Sequence, residues 1–454
     1  ELNVQDSKNE RISNFKSSDE ITESVLNSGN WFKFKIYESG MYQISYEELV
    51  ELNIIQEPIS TNQISVFSNP SRMLDFTVGN KRPKDLIETT SKINGVSNSV
   101  FGPGSSLIFY AEANGHEYYD ESDEIFKNEI NVYSDTNFIY ITTSALSRNK
   151  ISNQALSNPS DTILDYIKIN HHEKDLINFI KSGREWLGEN FNKNPLTYNH
   201  FYTPPIKKNS SLKIKYKVCT RSNTSADNKI SLILNNDTVS FAEMKKINMG
   251  SYADYVVFST KTYETNNYKN IQKDSLRIDF FYHQTENTKA WIDYFTINTT
   301  ERIKTEKEEM IVHFSDKNNK VNVINVASTF KNPLVWDITN TTKITEVKTN
   351  TTDSGFTFNS ELDTIKKFIF FEEKNIHSPE FVSKVDNQNL HGLSSTNYLV
   401  LTKKQFSSQA NRLIDLHTKH DNLSGQVVFI NDIYNEFSCG RPEATAIRDL
   451  IKLL

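Results

Sequence analysis

Apolar and polar positions alternate along most of this chain with a period of two, the signature of half-buried strands. Trp31 to Ile36 alternates, and Met41 to Ser45 answers it across Glu38-Ser-Gly-Met41, predicting a hairpin whose Gly40 is free to adopt positive φ. Tyr46 to Leu52 reads as a short helical turn behind it. Ile64-Ser-Val-Phe67, ending in the turn Asn69-Pro70, is a further strand, as are Ser106 to Ala111 and Asn137 to Thr142. They predict a small mainly-β domain over residues 29–149. The polar, aperiodic stretch 1–28 before it reads as a flexible leader. Residues 150–205 read as connection, with Asp161 to Ile169 either extended or helical.

From Ser211 the pattern is all-β. Leu212-Lys-Ile-Lys-Tyr-Lys-Val218 alternates strictly, giving one apolar and one basic face. Lys229 to Leu234, Asp254 to Ser259, Ser275 to Tyr282 and Ala290 to Ile297 follow at spacings suited to a jelly-roll-like sandwich over 206–303. The charge run Glu301 to Glu309 reads as a solvated linker or strand edge. Beyond it, Ile311 to Phe314, Val321 to Val326, Leu334 to Ile338 and Phe368 to Phe371 predict a second, smaller sandwich over 304–383.

The pattern changes over residues 384–454. Tyr398-Leu-Val-Leu-Thr402 has the length and composition of a buried strand. Lys404 to His420 carries Phe406, Ala410, Leu413, Ile414 and Leu416 on one helical face. Gly425 to Ile430 is a second strand, Asn431 an N-cap for the turn Asp432 to Phe437, and Ala444 to Leu454 a further helix. Strand, helix, strand, helix with short connections begins a doubly wound parallel sheet. Such sheets need helices on both faces, so the remaining strands are expected beyond Leu454. The fold class is therefore multidomain and mainly β, with sandwich or jelly-roll-like domains followed by the start of a doubly wound α/β domain.

Composition narrows the function classes. A chain of 454 residues exceeds one core, and 28 Phe with 20 Tyr supply several. Net charge of −6 gives no basic footprint for nucleic acid. No apolar run reaches the roughly 18–20 residues of a membrane-spanning helix. No signal-peptide pattern opens the chain, so the mature form, with the signal already removed, is expected.

Candidate chemistry is sparse. Cys219 and Cys439 fall in different predicted domains and read as unpaired thiols. Cys439 sits beside Gly440 and near His420, yet neither a held base nor an oxyanion site follows from that adjacency, so it is not read as a nucleophile. His171 and His172 are neighbours and point apart; His417 and His420 share a helix face without a third ligand. No metal or cofactor is expected. Trp291, Tyr294 and Tyr282 are read as core aromatics rather than a sugar platform, and Trp186 as an anchor for the connecting segment.

The segments Val385-Asp-Asn-Gln-Asn-Leu-His-Gly-Leu393, Asn397-Tyr-Leu-Val-Leu-Thr402, Ile433-Tyr-Asn-Glu-Phe-Ser438 and Gly440-Arg-Pro-Glu-Ala-Thr-Ala-Ile-Arg-Asp449 resemble the entry into a gingipain-type (C25) cysteine peptidase domain. Gly29 to Ile36, Ser39 to Leu49, Gly102 to Ala111 and Ser182-Gly-Arg-Glu-Trp-Leu-Gly188 are similar to the preceding part of the surface-sortase branch of that family. The resemblance implies a caspase/gingipain-like α/β domain over 384–454. It also implies a peptidase and transpeptidase of type IX secretion, which removes C-terminal sorting domains from secreted cargo and transfers the cargo to a surface acceptor. The family's catalytic His–Cys dyad is expected downstream of Leu454, leaving no catalytic residue here and no activity in this chain alone. Implied partners are the outer-membrane β-barrel PorV, other attachment-complex proteins and the cargo. The implied location is the cell surface, peripheral on the outer membrane, with docking through the β domains. Asp161-Thr-Ile, Asp237-Thr-Val, Asp274-Ser-Leu and Asp363-Thr-Ile resemble an O-glycosylation sequon of the same bacteria. A non-catalytic adhesion or carbohydrate-binding β-sandwich protein stands as the alternative.

Overall fold

The computed structural model describes residues 21–454 apart from 70–71, 78–81, 97, 155–157, 202–210, 224–227, 249, 251–253, 267–274, 285–287, 307–308 and 316. The chain is mostly β, in several sheets, and turns α/β at its carboxyl end.

The first domain is a two-layer sandwich. One sheet has the order Glu380–Val385, Trp31–Ile36, Asn137–Thr142, Ser65–Ser68, Ile87–Glu88; the other runs Gly40–Ser45, Ser106–Ala111, Ser91–Asn94. Phe32, Phe34 and Ile139 of the first layer meet Tyr42, Ile44 and Phe109 of the second. The expected hairpin is therefore not one. Its two strands lie in different sheets, because facing each other across the core buries the apolar side of both. Gly40 does not take positive φ; a Cβ there would strike the Glu309 carboxylate. Helix α1 (Tyr46–Glu51) follows with a reciprocal cap, in which Ser45 Oγ accepts from the Glu48 N–H at 3.1 Å and the Glu48 carboxylate accepts from the Ser45 N–H at 2.7 Å.

Residues 21–28 depart from the expected leader. Leu26 is fully buried, and the Val25 and Ser24 N–H groups bond Asp85 Oδ2 and Asn389 Oδ1 at 2.8 and 2.9 Å. The rest of that stretch, like Pro70 of the expected turn, lies outside the described residues.

A nine-stranded sheet dominates the middle of the chain: Ser152–Gln154, Thr345–Val347, Leu334–Asp337, Lys366–Phe371, Glu309–Phe314, Asp165–Glu173, Lys289–Arg302, Leu212–Arg221, Val257–Thr265. One half is covered by the sheet Leu196–Phe201, Ser275–Tyr282, Lys229–Leu234, Asp237–Glu243, the other by a sheet built on Val321–Ser328 and Gly355–Glu361. The two expected sandwiches thus share one sheet. Asp165–Glu173 is the seam, pairing along its length with Lys289–Arg302 and meeting His313 at Ile167. Two readings are corrected here. Residues 150–205 carry strands as well as connection. The charge run begins inside a strand, where Glu301 is buried and its carboxylate takes Lys168 Nζ at 3.3 Å and Thr299 Oγ1 at 3.0 Å. Alternation with polar residues had made it look solvated.

The basic side of Leu212–Arg221 is largely covered at Lys213 and Lys215 and partly exposed at Lys217. A hairpin of the first domain, Gly115–Asp120 with Ile125–Ile130, lies across it. Lys213 Nζ donates to the Asp123 and Glu124 carbonyls at 3.2 and 3.1 Å, Lys215 pairs with Asp123, and Asn298 exchanges two hydrogen bonds with the Phe126 backbone. Beside it, Met41, Ile108 and Tyr110 pack on Trp336, Ile369 and Phe371 of the large sheet.

Candidate functional site

Strands Tyr398–Thr402 and Gly425–Phe429 pair in parallel, joined through α2 (Ser407–Asp421). Helix α3 (Ile430–Phe437) leaves the second strand directly and α4 (Ala444–Leu453) follows. Asn431 lies inside α3 rather than capping it. Val428, Ile433, Phe437, Ala446 and Leu450 form the core on one side of the strands. The opposite helix is less committed: Ala410 is buried, while Phe406, Leu413 and Leu416 of its apolar face stay exposed.

Parallel sheets do chemistry beyond the carboxyl ends of their strands. Here that edge carries Lys404, paired with Asp386 at 2.6 Å, and Asp432, which burial and the nearby Glu436 push up to about 6.

Cys439 is not at that edge. It lies behind α3, fully buried, and its Sγ donates to the Phe138 carbonyl at 3.1 Å. Burial raises its thiol pKa, the opposite of what a thiolate nucleophile needs. Cys219 is likewise buried and raised, so both cysteines of the chain are inert.

The histidines are occupied. His391 Nδ1 bonds Glu436 at 2.6 Å and its ring stacks on Phe437. His417 bonds Asp421 and is not joined with His420. His171 meets Thr296 and Glu173, while His172 meets Glu189 on the other face of its strand. No cluster able to hold a metal occurs among the described residues. Trp291 and Tyr282 are buried and Tyr294 half-buried, in keeping with core aromatics. Trp186 remains half-exposed; its neighbours Leu187, buried against Cys219 and Trp291, and Arg184, bonded to Thr445 and Tyr133, are the anchors. Thr162, Thr238, Ser275 and Thr364 of the four sequon-like tripeptides are exposed, whereas Asp274 is outside the described residues.

Two buried features are not evident in the sequence, one ion pair and one carboxylate held by hydrogen bonds. Arg441 and Glu443, both without exposed surface, pair at 2.8 Å, and Glu436 accepts from Gln388 Nε2, the Leu390 N–H and His391. The only signal was the rigid run Gly440-Arg-Pro-Glu443, where opposite charges flank a proline.

Residues 391–454 match the model of peptidase family C25. No curated protein matches. Among solved structures, dimeric latent PorU from Porphyromonas gingivalis aligns with a TM-score of 0.75 at 19% identity, covering 95% of this chain and 40% of that one. The VP2 subviral particle of infectious bursal disease virus, at 9% identity over 88% of this chain and 90% of its own, has a TM-score of 0.17, too low to carry weight. The chain thus spans about two fifths of the length of the PorU structure it matches. In fold it is PorU-like, and its residues 391–454 are similar to peptidase family C25.

Proposed function

We propose that this chain is the front part of a cell-surface cysteine peptidase and sortase of type IX secretion. On this reading the whole protein removes C-terminal sorting domains from cargo and passes the cargo to a surface acceptor. The supporting observation is the match of residues 391–454 to peptidase family C25, on a chain whose fold follows PorU. Both cysteines present are buried with raised thiols, so the catalytic His–Cys pair is assigned to sequence outside these 454 residues. The test is processing of a cargo carrying its sorting domain by the longer protein. Cleavage abolished by alkylating a cysteine outside residues 1–454 supports the reading; cleavage that survives it, or none, removes it.

Among the described residues no helix is long and apolar enough to cross a membrane; retention at the surface through protein contact is part of the proposal. The β domains over 29–371 are the proposed docking surface for the β-barrel PorV, since a durable interface needs on the order of 1,200–2,000 Å². Cross-linking between the barrel and the longer protein should map to 29–371. Cross-links confined to 391–454 would reverse the assignment.

The adhesion alternative loses support, because Trp291 and Tyr282 are buried and only Tyr294 of the three candidate platform aromatics keeps part of its surface.

A further inference from the structure

Alternation in Trp31–Ile36 sends Phe32, Phe34 and Ile36 into the first domain's core, and Trp31 and Lys33 to the sheet's other face. Asn137–Thr142 does the same, turning Phe138 and Tyr140 outward. That outer face is covered around Trp31, Lys33, Phe138 and Tyr140, while Lys35 at its far end stays a third exposed. Tyr140 OH donates to Asn435 Oδ1 at 2.8 Å, and Lys33 Nζ, over the Phe138 ring, donates to the Gly440 carbonyl. Arg441 donates to Asn137 Oδ1 at 2.7 Å and to the Arg72 carbonyl at 3.2 Å. The Glu443 carboxylate takes the Leu74 N–H and Asn131 Nδ2, each at 2.8 Å.

Every one of these bonds joins the first domain either to Asn435 of α3 or to the turn between α3 and α4. Their polar groups are buried and matched, which is costly unless both sides are always present together. Fully exposed loops connecting independent domains look different, since their interfaces are wetter and separable. The same first domain also packs against the large sheet through Met41, Ile108 and Tyr110.

We propose that the amino-terminal β domain is a fixed mount for the C25 sheet, with the outer face of Trp31–Ile36 and Asn137–Thr142 as the seat and the Arg441–Glu443 turn as the plug. The seat holds α3, and through it the carboxyl ends of the two parallel strands, in one position relative to the large sheet. Lys33, Tyr140, Arg441 and Glu443 are positioning residues in this scheme. The proposal rests on the peptidase reading only for what is mounted.

Hydrogen exchange on the intact 454-residue chain tests it without any turnover assay, so the two readings fail separately. Lys33→Met with Tyr140→Phe, on the seat, should raise exchange in Ile430–Phe437 and Ala444–Leu453 about tenfold. Glu443→Gln, on the plug, should raise it in Asn137–Thr142 by a similar factor, because coupling is reciprocal. Lys229–Leu234, remote from the seat, serves as the control and should not change. If the double variant unfolds the first domain, Tyr140→Phe alone removes one hydroxyl and keeps the ring. Variants that loosen only their own side, or a single Tyr140→Phe that leaves 430–453 unchanged, overturn the mount.

Discussion

Lys33 Nζ donates to the Gly440 carbonyl at 3.2 Å, joining the third position of the first domain's leading strand to the turn that closes α3. Burial of this ammonium lowers its pKa from 10.5 to about 8, with the neighbouring Arg441 charge acting in the same direction and Cys439 opposing. Between about pH 8 and 10.5 the unfolded chain therefore holds a proton at Lys33 that the folded chain has shed, and stability gains with pH in that window. Lys33→Met removes the titration. Denaturant midpoints measured from pH 7.5 upward should climb in the parent relative to the variant; parallel curves would contradict the assignment.

Gly440 has a φ of +82°, and a Cβ there would run into Lys33 Nζ and Tyr140 OH. Both effects act against any side chain. Gly440→Ala should cost about 1–3 kcal/mol by overpacking, read from denaturant unfolding. An unchanged midpoint would mean the turn can move away from the first domain.

Neither cysteine should react in the native chain. With Cys219 and Cys439 buried and raised in pKa, a thiol reagent should label none before denaturation and both after it. Peptide cleavage by the 454-residue chain is expected to be absent, with Cys439→Ala making no difference. Native labelling of Cys439, or turnover that this substitution abolishes, would return it to candidacy as a nucleophile.

Glu117 sits between His313 Nε2 at 3.2 Å and Lys367 Nζ at 3.6 Å, tying the Gly115–Asp120 strand to the large sheet. Burial pushes its carboxyl up, but the close approach of the His313 ring and the Lys367 ammonium overcome this and hold it at about 2. A carboxylate lowered in the fold contributes stability above its unfolded pKa of 4.5, lost as pH falls through about 2. Glu117→Gln should lose that contribution, about 1–2 kcal/mol at neutral pH since a third of the side chain stays in water. The acid limb of its stability profile should flatten accordingly. A variant whose profile overlays the parent's would show that the ladder of the hairpin, not this pair, ties it down.

Period-two patterns located strands that bury one face more than the other, as in Ser275–Tyr282, while Ser106–Ala111, buried on both faces, was legible as a short continuous apolar run. Partners were not legible in the same way. Trp31–Ile36 and Gly40–Ser45 look like a hairpin from spacing alone, and only the need to close two layers separates them. Gly115–Asp120 was invisible as a strand because Gly-His-Glu-Tyr-Tyr-Asp is polar on both faces, its charges being matched by His313 and Lys127. The strand–helix–strand–helix end was legible, whereas Arg441, Glu443 and Glu436 were not. Arg441 and Glu443 are buried by hydrogen-bond partners hundreds of residues away, Asn137, Arg72, Leu74 and Asn131, and such partners cannot be read from the local pattern.

The leading strand Trp31–Ile36 takes one neighbour from Asn137–Thr142 and the other from Glu380–Val385, with Trp31 opposite Val385. A chain delivered from its amino terminus must therefore hold one flank of its earliest strand open until nearly all of the β region has emerged. Pairings of such sequence separation are slow to form, and an uncovered strand flank invites association with other chains. Assembly of this protein is thus timed by its later strands: the front becomes finished structure only when the segment leading into the α/β region arrives.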